Sequence, residues 1–172
     1  QVVAGSAKTL IDNLPSPSAH HQAGDLHFGA NNLLYVSVGD GSCTIGTPDA
    51  CAELNTNSRR LDIPNGKILR VTRNGKVPGS NPFVGKPGAR RCTAPGGVSP
   101  GDGPCTETFA YGFRNPFRFT VYPGTNLIWV NDVGQSTWEE IDRALPGKDY
   151  GWNVREGFCL TGSTTDCTAD PS

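Results

Sequence analysis

Residues 25–40 read DLHFGANNLLYVSVGD, and residues 118–134 read RFTVYPGTNLIWVNDVG. Both pass through a short apolar stretch, a turn, a Leu/Ile-aromatic-Val stretch, and then Asp and Gly. β-Branched and aromatic runs on either side of a turn signal read as antiparallel hairpins. The two units begin about 93 residues apart. A third apolar strand, KILRVT (67–72), lies between them and ends in Arg73-Asn74-Gly75-Lys76, where Asn-Gly is a strong turn signal. A period near 45 residues matches the blades of a β-propeller, which typically carry four antiparallel strands each. On that count the 172 residues make about three blades, fewer than the four to eight with which propellers usually close. The expected architecture is therefore all-β, one partial propeller domain over residues 1–172 with no second domain.

Composition agrees. Hydrophobic content is 35%, while Gly (22) and Pro (14) are plentiful, a mix that favours short strands joined by turns over long helices. The formal net charge of −1 gives no reason to expect nucleic acid or an anionic membrane surface as partner. No apolar run approaches the roughly 20 residues of a membrane-spanning helix. The chain has no Met, which points to a processed product or an excerpt of something longer. The stretch 138–145 (WEEIDRAL) is a helix by propensity, but the Pro-Gly that follows fits a strand or turn equally well. Residues 43–63 and 81–108 read as linkers.

The six cysteines fall in three local couples, Cys43/Cys51, Cys92/Cys105 and Cys159/Cys167, each in a Gly/Pro/Thr/Asp-rich stretch. No Cys-x-x-Cys occurs, so a zinc ribbon or thioredoxin-type site is unsupported. Three loop-stapling disulfides in an exported protein, secreted or periplasmic, is the simpler reading. Nearest-neighbour pairing is the first choice among fifteen connectivities.

In a hairpin, paired residue numbers sum to a constant set by the turn. Centring one hairpin on Gly124-Thr125 puts Arg114 across from Gln135 and Asn115 across from Gly134. Centring the other near Ala30-Asn31 puts His21 across from Asp40. Each hairpin thus carries a polar group of residues at its open end, within the shift a β-bulge would cause. A His beside a carboxylate is the usual arrangement of a general base. Asn and Arg together can donate to a developing oxyanion. A Gly lets carbonyls approach a hard cation closely. By pattern alone, a His–Asp pair across a hairpin is more often a surface hydrogen bond, Arg114-Asn115-Pro116 can simply join two strands, Gly134 can be a plain turn residue, and Glu139 and Glu140 can be solvated.

Taken together, the stretches 21–26 (HQAGDL), 35–40 (YVSVGD), 66–71 (GKILRV), 112–116 (GFRNP), 132–135 (DVGQ), 138–142 (WEEID) and 149–152 (DYGW) resemble the glucose/sorbosone dehydrogenase family, the soluble sugar dehydrogenases that use pyrroloquinoline quinone (PQQ). The motifs follow the family's order across most of residues 14–157. The resemblance implies a six-bladed β-propeller of which this chain is the middle part. It implies that His21 takes the proton of a sugar's anomeric hydroxyl while hydride passes to the quinone, with Asp40 orienting it. Arg114 and Asn115 are implied to meet the quinone's reactive carbonyl, and Gln22 is placed with these cofactor contacts. The carbonyls of Gly134 and Gln135 are implied ligands of the Ca²⁺ that holds PQQ, and Glu140 and the Tyr150 carbonyl contributors to a further, structural Ca²⁺ site. His20 stands where glucose-oxidising members carry Asp, and Gln135 where a Pro is common. Further quinone contacts are implied to come from blades outside this sequence, so the expected partners are a sugar substrate and the remaining blades or another copy of the chain. The competing expectation is a non-enzymatic secreted propeller of the same superfamily, similar to the Hedgehog-interacting proteins, which stapled loops suit. A third is a structural excerpt that folds only within an oligomer.

Overall fold

A computed structural model describes residues 3–16, 20–41, 56–96 and 101–167. Its strands are β1 (Ala23–Phe28), β2 (Leu33–Val38), β3 (Lys67–Thr72), β4 (Thr108–Tyr111), β5 (Pro116–Val121), β6 (Ile128–Asp132), β7 (Glu140–Ala144), β8 (Arg155–Glu156) and β9 (Cys159–Leu160). They form a four-stranded sheet in the order β1-β2-β3-β4, a three-stranded sheet β5-β6-β7 and a small β8-β9 hairpin. Every pairing between these strands is antiparallel. No α-helix occurs among the described residues. This is the all-β, antiparallel blade architecture expected from the hairpin repeats.

The repeat works differently from its first reading. β3 is not a unit of its own but the third strand of the first sheet, paired with β2 from Leu33↔Thr72 to Val38↔Lys67. Successive sheets therefore open about 93 residues apart, at β1 and β5, and not every 45. The 28 residues between β2 and β3 and the 35 between β3 and β4 make up the difference. Within 138–145, Glu140–Ala144 forms a strand: Glu140, Asp142 and Ala144 turn inward, while Ile141 and Arg143 are exposed. That period of two, paired against β6, outweighs helix propensity.

Local chemistry explains the hairpins. The Pro123-Gly124 turn is closed by Thr125 N–H donating to the Tyr122 carbonyl at 3.0 Å, with Pro and Gly at the positions such turns favour. The β3 turn is closed the same way, Gly75 N–H to Thr72 O at 2.8 Å. β2 and β3 bury residues on both faces, as central strands do. Their Tyr35 and Ile68 join Phe109, Phe113, Phe119, Ile128 and Val130 in one apolar core that spans both large sheets. Cys92–Cys105 and Cys159–Cys167 are disulfide-bonded, as nearest-neighbour pairing predicts. Cys43 and Cys51 lie outside the described residues.

At the start of β3, Lys67 is fully buried. Its ammonium donates to three carbonyls, of Asn57 (3.1 Å), Ser58 (2.7 Å) and Asn65 (2.5 Å). Burial pushes its pKa down to about 7, with Asp149 the strongest opposing influence. One cation thus organises the loop 56–65 that leads into the sheet. Lys67→Met would leave three buried carbonyls without donors, each costing about 1–3 kcal/mol, against which relief of the buried charge is a partial offset. The expected result is a loss of about 2–4 kcal/mol in urea unfolding, with new proteolytic cleavage within 56–65. Unchanged stability would show that the loop is held by other contacts.

Candidate functional site

The site is built where the two hairpins open. β1–β2 and β5–β6 each carry one extra residue in the leading strand, a β-bulge between Ala23 and Leu26 in the first and between Pro116 and Arg118 in the second. The bulges pack together: Arg118 donates to the Gly24 carbonyl at 2.9 Å and to the Phe117 carbonyl at 3.0 Å. Just before them stand His21 and Arg114, about 93 residues apart, like the hairpins themselves. The second bulge also corrects the expected register. Arg114 meets the carbonyls of Val133 (3.1 Å) and Gly134 (3.0 Å), one residue short of Gln135, and Asn115 O accepts from Val133 N–H at 3.1 Å instead of facing Gly134.

His21 and Asp40 meet as the spacing predicts, His21 Nδ1 to Asp40 Oδ1 at 2.8 Å. The His21 side chain is 12% exposed and the Asp40 side chain 0%. His21 adopts φ +51°, a left-handed conformation uncommon outside glycine. Its carbonyl lies so close to Gly39 that a Cβ there would stand 2.4 Å from that oxygen, so Gly39 makes the approach of the two strand ends sterically feasible. A carboxylate only accepts, so in the neutral imidazole this contact puts the hydrogen on Nδ1 and leaves the lone pair on Nε2. The second carboxylate oxygen of Asp40 accepts from Trp152 Nε1 at 2.8 Å, and Asp40 N–H donates to the Arg114 carbonyl at 2.8 Å. Neighbouring Gln22 accepts from Gly39 N–H through its carbonyl (2.7 Å), and its amide donates to the His20 carbonyl (3.0 Å).

Arg114 is nearly buried. Burial lowers its pKa, while Asp40, Asp132, Glu156 and Glu139 favour its charge. Its guanidinium lies 5.4 Å from the Trp152 ring centroid, within cation–π range. Its Nε is buried without a hydrogen-bond partner, a donor that native structures rarely leave unused. Asp132 fixes the backbone here, accepting from Arg114 N–H (2.9 Å) and Asn115 N–H (2.6 Å). Burial raises the Asp132 pKa well above the usual carboxylate range, and those two bonds oppose the rise.

The turn after β6 is held from inside. Glu156, almost fully buried, accepts at one oxygen from Gln135 (2.6 Å), Ser136 (2.8 Å), Thr137 (2.9 Å) and Trp138 (3.3 Å) N–H. Burial by itself would raise its pKa, but these four bonds carry it below the ordinary value. Gly134 is packed so tightly that a Cβ would stand 1.7 Å from the Trp138 carbonyl. Gly134 and Gln135 line a small polar cavity with Glu139 and Glu156. Glu140, Asp142 and Tyr150 line an adjoining groove that shares Trp138 and Glu139 with this cavity. There burial raises the pKa of Glu140, and raises that of Asp142 to about 7 with help from Glu140. Glu140 accepts from Gly157 N–H, and Tyr150 stacks on Phe113 at 4.6 Å.

Among the described residues no three His, Cys, Asp or Glu converge as metal ligands. The oxygens near Gly134 are the Val133 and Gly134 carbonyls, which accept from Arg114, and the carboxylates of Glu139 and Glu156, hard donors of the kind Ca²⁺ takes, and Arg114 Nε is an orphaned donor. Both features fit an anionic ligand held with a cation. Sequence reasoning gave no role to Trp152, Asp132 or Glu156. Each acts on residues 17 or more positions away, beyond the reach of local motifs.

The sequence model described as Glucose / Sorbosone dehydrogenase matches residues 3–168. The aldose sugar dehydrogenase YliI of Escherichia coli is 28% identical over 84% of this chain and 32% of its own length. The HIPL1 protein of Arabidopsis thaliana is 32% identical over 82% of this chain and 20% of its own. The PQQ-bound aldose sugar dehydrogenase of Streptomyces coelicolor superposes with a TM-score of 0.57 at 25% identity, covering 87% of this chain and 34% of that one. The chain thus spans about a third of the relatives it matches, or less.

Glu156→Gln keeps an acceptor oxygen but removes the charge that four N–H groups stabilise. A loss of about 1–3 kcal/mol at neutral pH is expected. Because the folded-state pKa of Glu156 is depressed, its contribution is present above the unfolded carboxylate range and fades as pH falls through it. The variant's stability should therefore depend less on pH in that range than the wild type's. Parallel urea-derived profiles for the two proteins would contradict this role.

Proposed function

Because the chain belongs to the glucose/sorbosone dehydrogenase family, we propose that it supplies the base-bearing part of a sugar-oxidising site. Oxidation of an aldose at the anomeric carbon removes a hydride from carbon and a proton from oxygen. PQQ, when bound with Ca²⁺, supplies the hydride acceptor. His21 takes the proton at Nε2, and Asp40 stabilises the imidazolium through Nδ1–H. Arg114, with its orphaned Nε, and Asn115 face the quinone's reactive carbonyl, with Gln22 beside them. The carbonyls of Gly134 and Gln135 would hold the Ca²⁺ of the cofactor, and Glu140 with the Tyr150 carbonyl would serve a structural Ca²⁺. The observation that carries the reading is the 2.8 Å His21–Asp40 contact alongside Arg114. The named relatives support it, two of them being aldose sugar dehydrogenases.

The two disulfides favour an oxidising compartment, secreted or periplasmic. The described residues hold no helix long and apolar enough to cross a membrane. Residues 1–172 act as one partial propeller domain, completed by further blades or another copy of the chain. The likeness to HIPL1 favours a second reading, a stapled secreted propeller without catalysis.

His21→Ala in the intact protein should lower turnover of its aldose by about 10²–10⁴-fold, the range a general base supplies. PQQ binding in Ca²⁺, read by absorbance titration, should persist. Equal loss of both would remove His21 from the role of base. Chelation of Ca²⁺ should abolish PQQ binding to the wild type; binding that survives the chelator would contradict the proposed carbonyl ligands. Absence of both PQQ binding and turnover in the wild type would favour the non-catalytic module.

A further inference from the structure

We propose that Trp152 is a positioning residue for the base: its indole N–H holds Asp40 so that His21 keeps its lone pair on Nε2. This rests on the reading of His21 as the base. Trp152 is 3% exposed and is pinned through its own backbone, Trp152 N–H donating to the Gly112 carbonyl at 2.9 Å. Its Nε1–H reaches Asp40 Oδ2 at 2.8 Å while His21 Nδ1 meets Oδ1 at 2.8 Å. With an oxygen fixed on each side, the carboxylate cannot rotate about its bond to Cβ without breaking one contact. The plane of Asp40, and with it the ring of His21, is therefore set by a residue 112 positions away in the chain. The face of the same indole carries Arg114. One side chain thus ties the proton acceptor to the cation proposed to meet the quinone.

The two roles of the indole are separable. Trp152→Phe keeps an aromatic face beneath Arg114 and deletes only the donor to Asp40. In the intact protein with PQQ and Ca²⁺, kcat should fall on the order of 10–100-fold, less than removal of a general base itself. KM for the aldose and the affinity for PQQ should stay within about twofold, as expected when only a step of the reaction is touched. In ¹⁵N spectra of the imidazole, His21 should pass from the Nδ1–H tautomer in the wild type to a mixture in the variant. An unchanged tautomer overturns the proposal whether or not kcat falls, because a purely structural role would lower activity without moving it. If the wild type oxidises no aldose, the reading of His21 as base fails, yet the tautomer comparison still decides the role of Trp152. Should the variant not fold, the wild-type indole decides: a Trp152 Nε1–H shifted downfield and protected from solvent exchange supports the contact, and one exchanging like free tryptophan overturns it.

Discussion

The arrangement depends on the burial of one carboxylate. Asp40 has no exposed side-chain surface, and a charge so placed is costly unless fully partnered. Its partners come from three parts of the chain. His21, from the strand end before β1, and Trp152, from the segment after β7, hold its carboxylate, while its backbone N–H donates to the Arg114 carbonyl at the entry to β5. Satisfying Asp40 therefore fixes the relative positions of two hairpins and a loop. Gly39 leaves room for His21 to close in, and His21 makes that approach with a left-handed backbone.

The second hairpin repeats the plan with different chemistry. Where His21 faces Asp40, Arg114 faces the carbonyls after β6, and Asp132 clasps the backbone beneath it. Bulges at matching points bend both strand ends toward a common place. Propellers place equivalent strand ends of successive blades around one axis, and here the His21–Asp40 pair of one repeat is joined to Arg114 of the next through the Asp40 N–H. Glu156 stabilises the next turn from within, accepting four successive N–H groups at one oxygen. The polar cavity at Gly134 is consequently shaped by hydrogen bonds to the backbone more than by side-chain packing.

Much of this was legible in the residues. The β5–β6 hairpin announced itself through Pro123-Gly124 and the turn after β3 through Asn74-Gly75, and the His21–Asp40 pair followed from counting across a turn. Two local disulfides followed from cysteine spacing. The bulges were not legible, because an extra residue in a strand carries no periodic signature, and so Arg114 was placed one residue away from its actual partner. The sheet period was misread because the strand at Lys67 resembles the start of a repeat, while its pairing with β2 makes it a third strand. Trp152 and Glu156 escaped for a simpler reason. Their partners are set by how sheets pack on one another, and hydrophobic patterning along the chain does not encode that.

The central claim is that the ends of these hairpins form a site for sugar oxidation. Its most direct test is to saturate the intact protein with PQQ in the presence of Ca²⁺, exclude oxygen, add an aldose and follow the absorbance of the oxidised quinone. The account predicts that the quinone band bleaches in a single turnover proportional to bound cofactor. Bound quinone that stays oxidised across a panel of aldoses would contradict it.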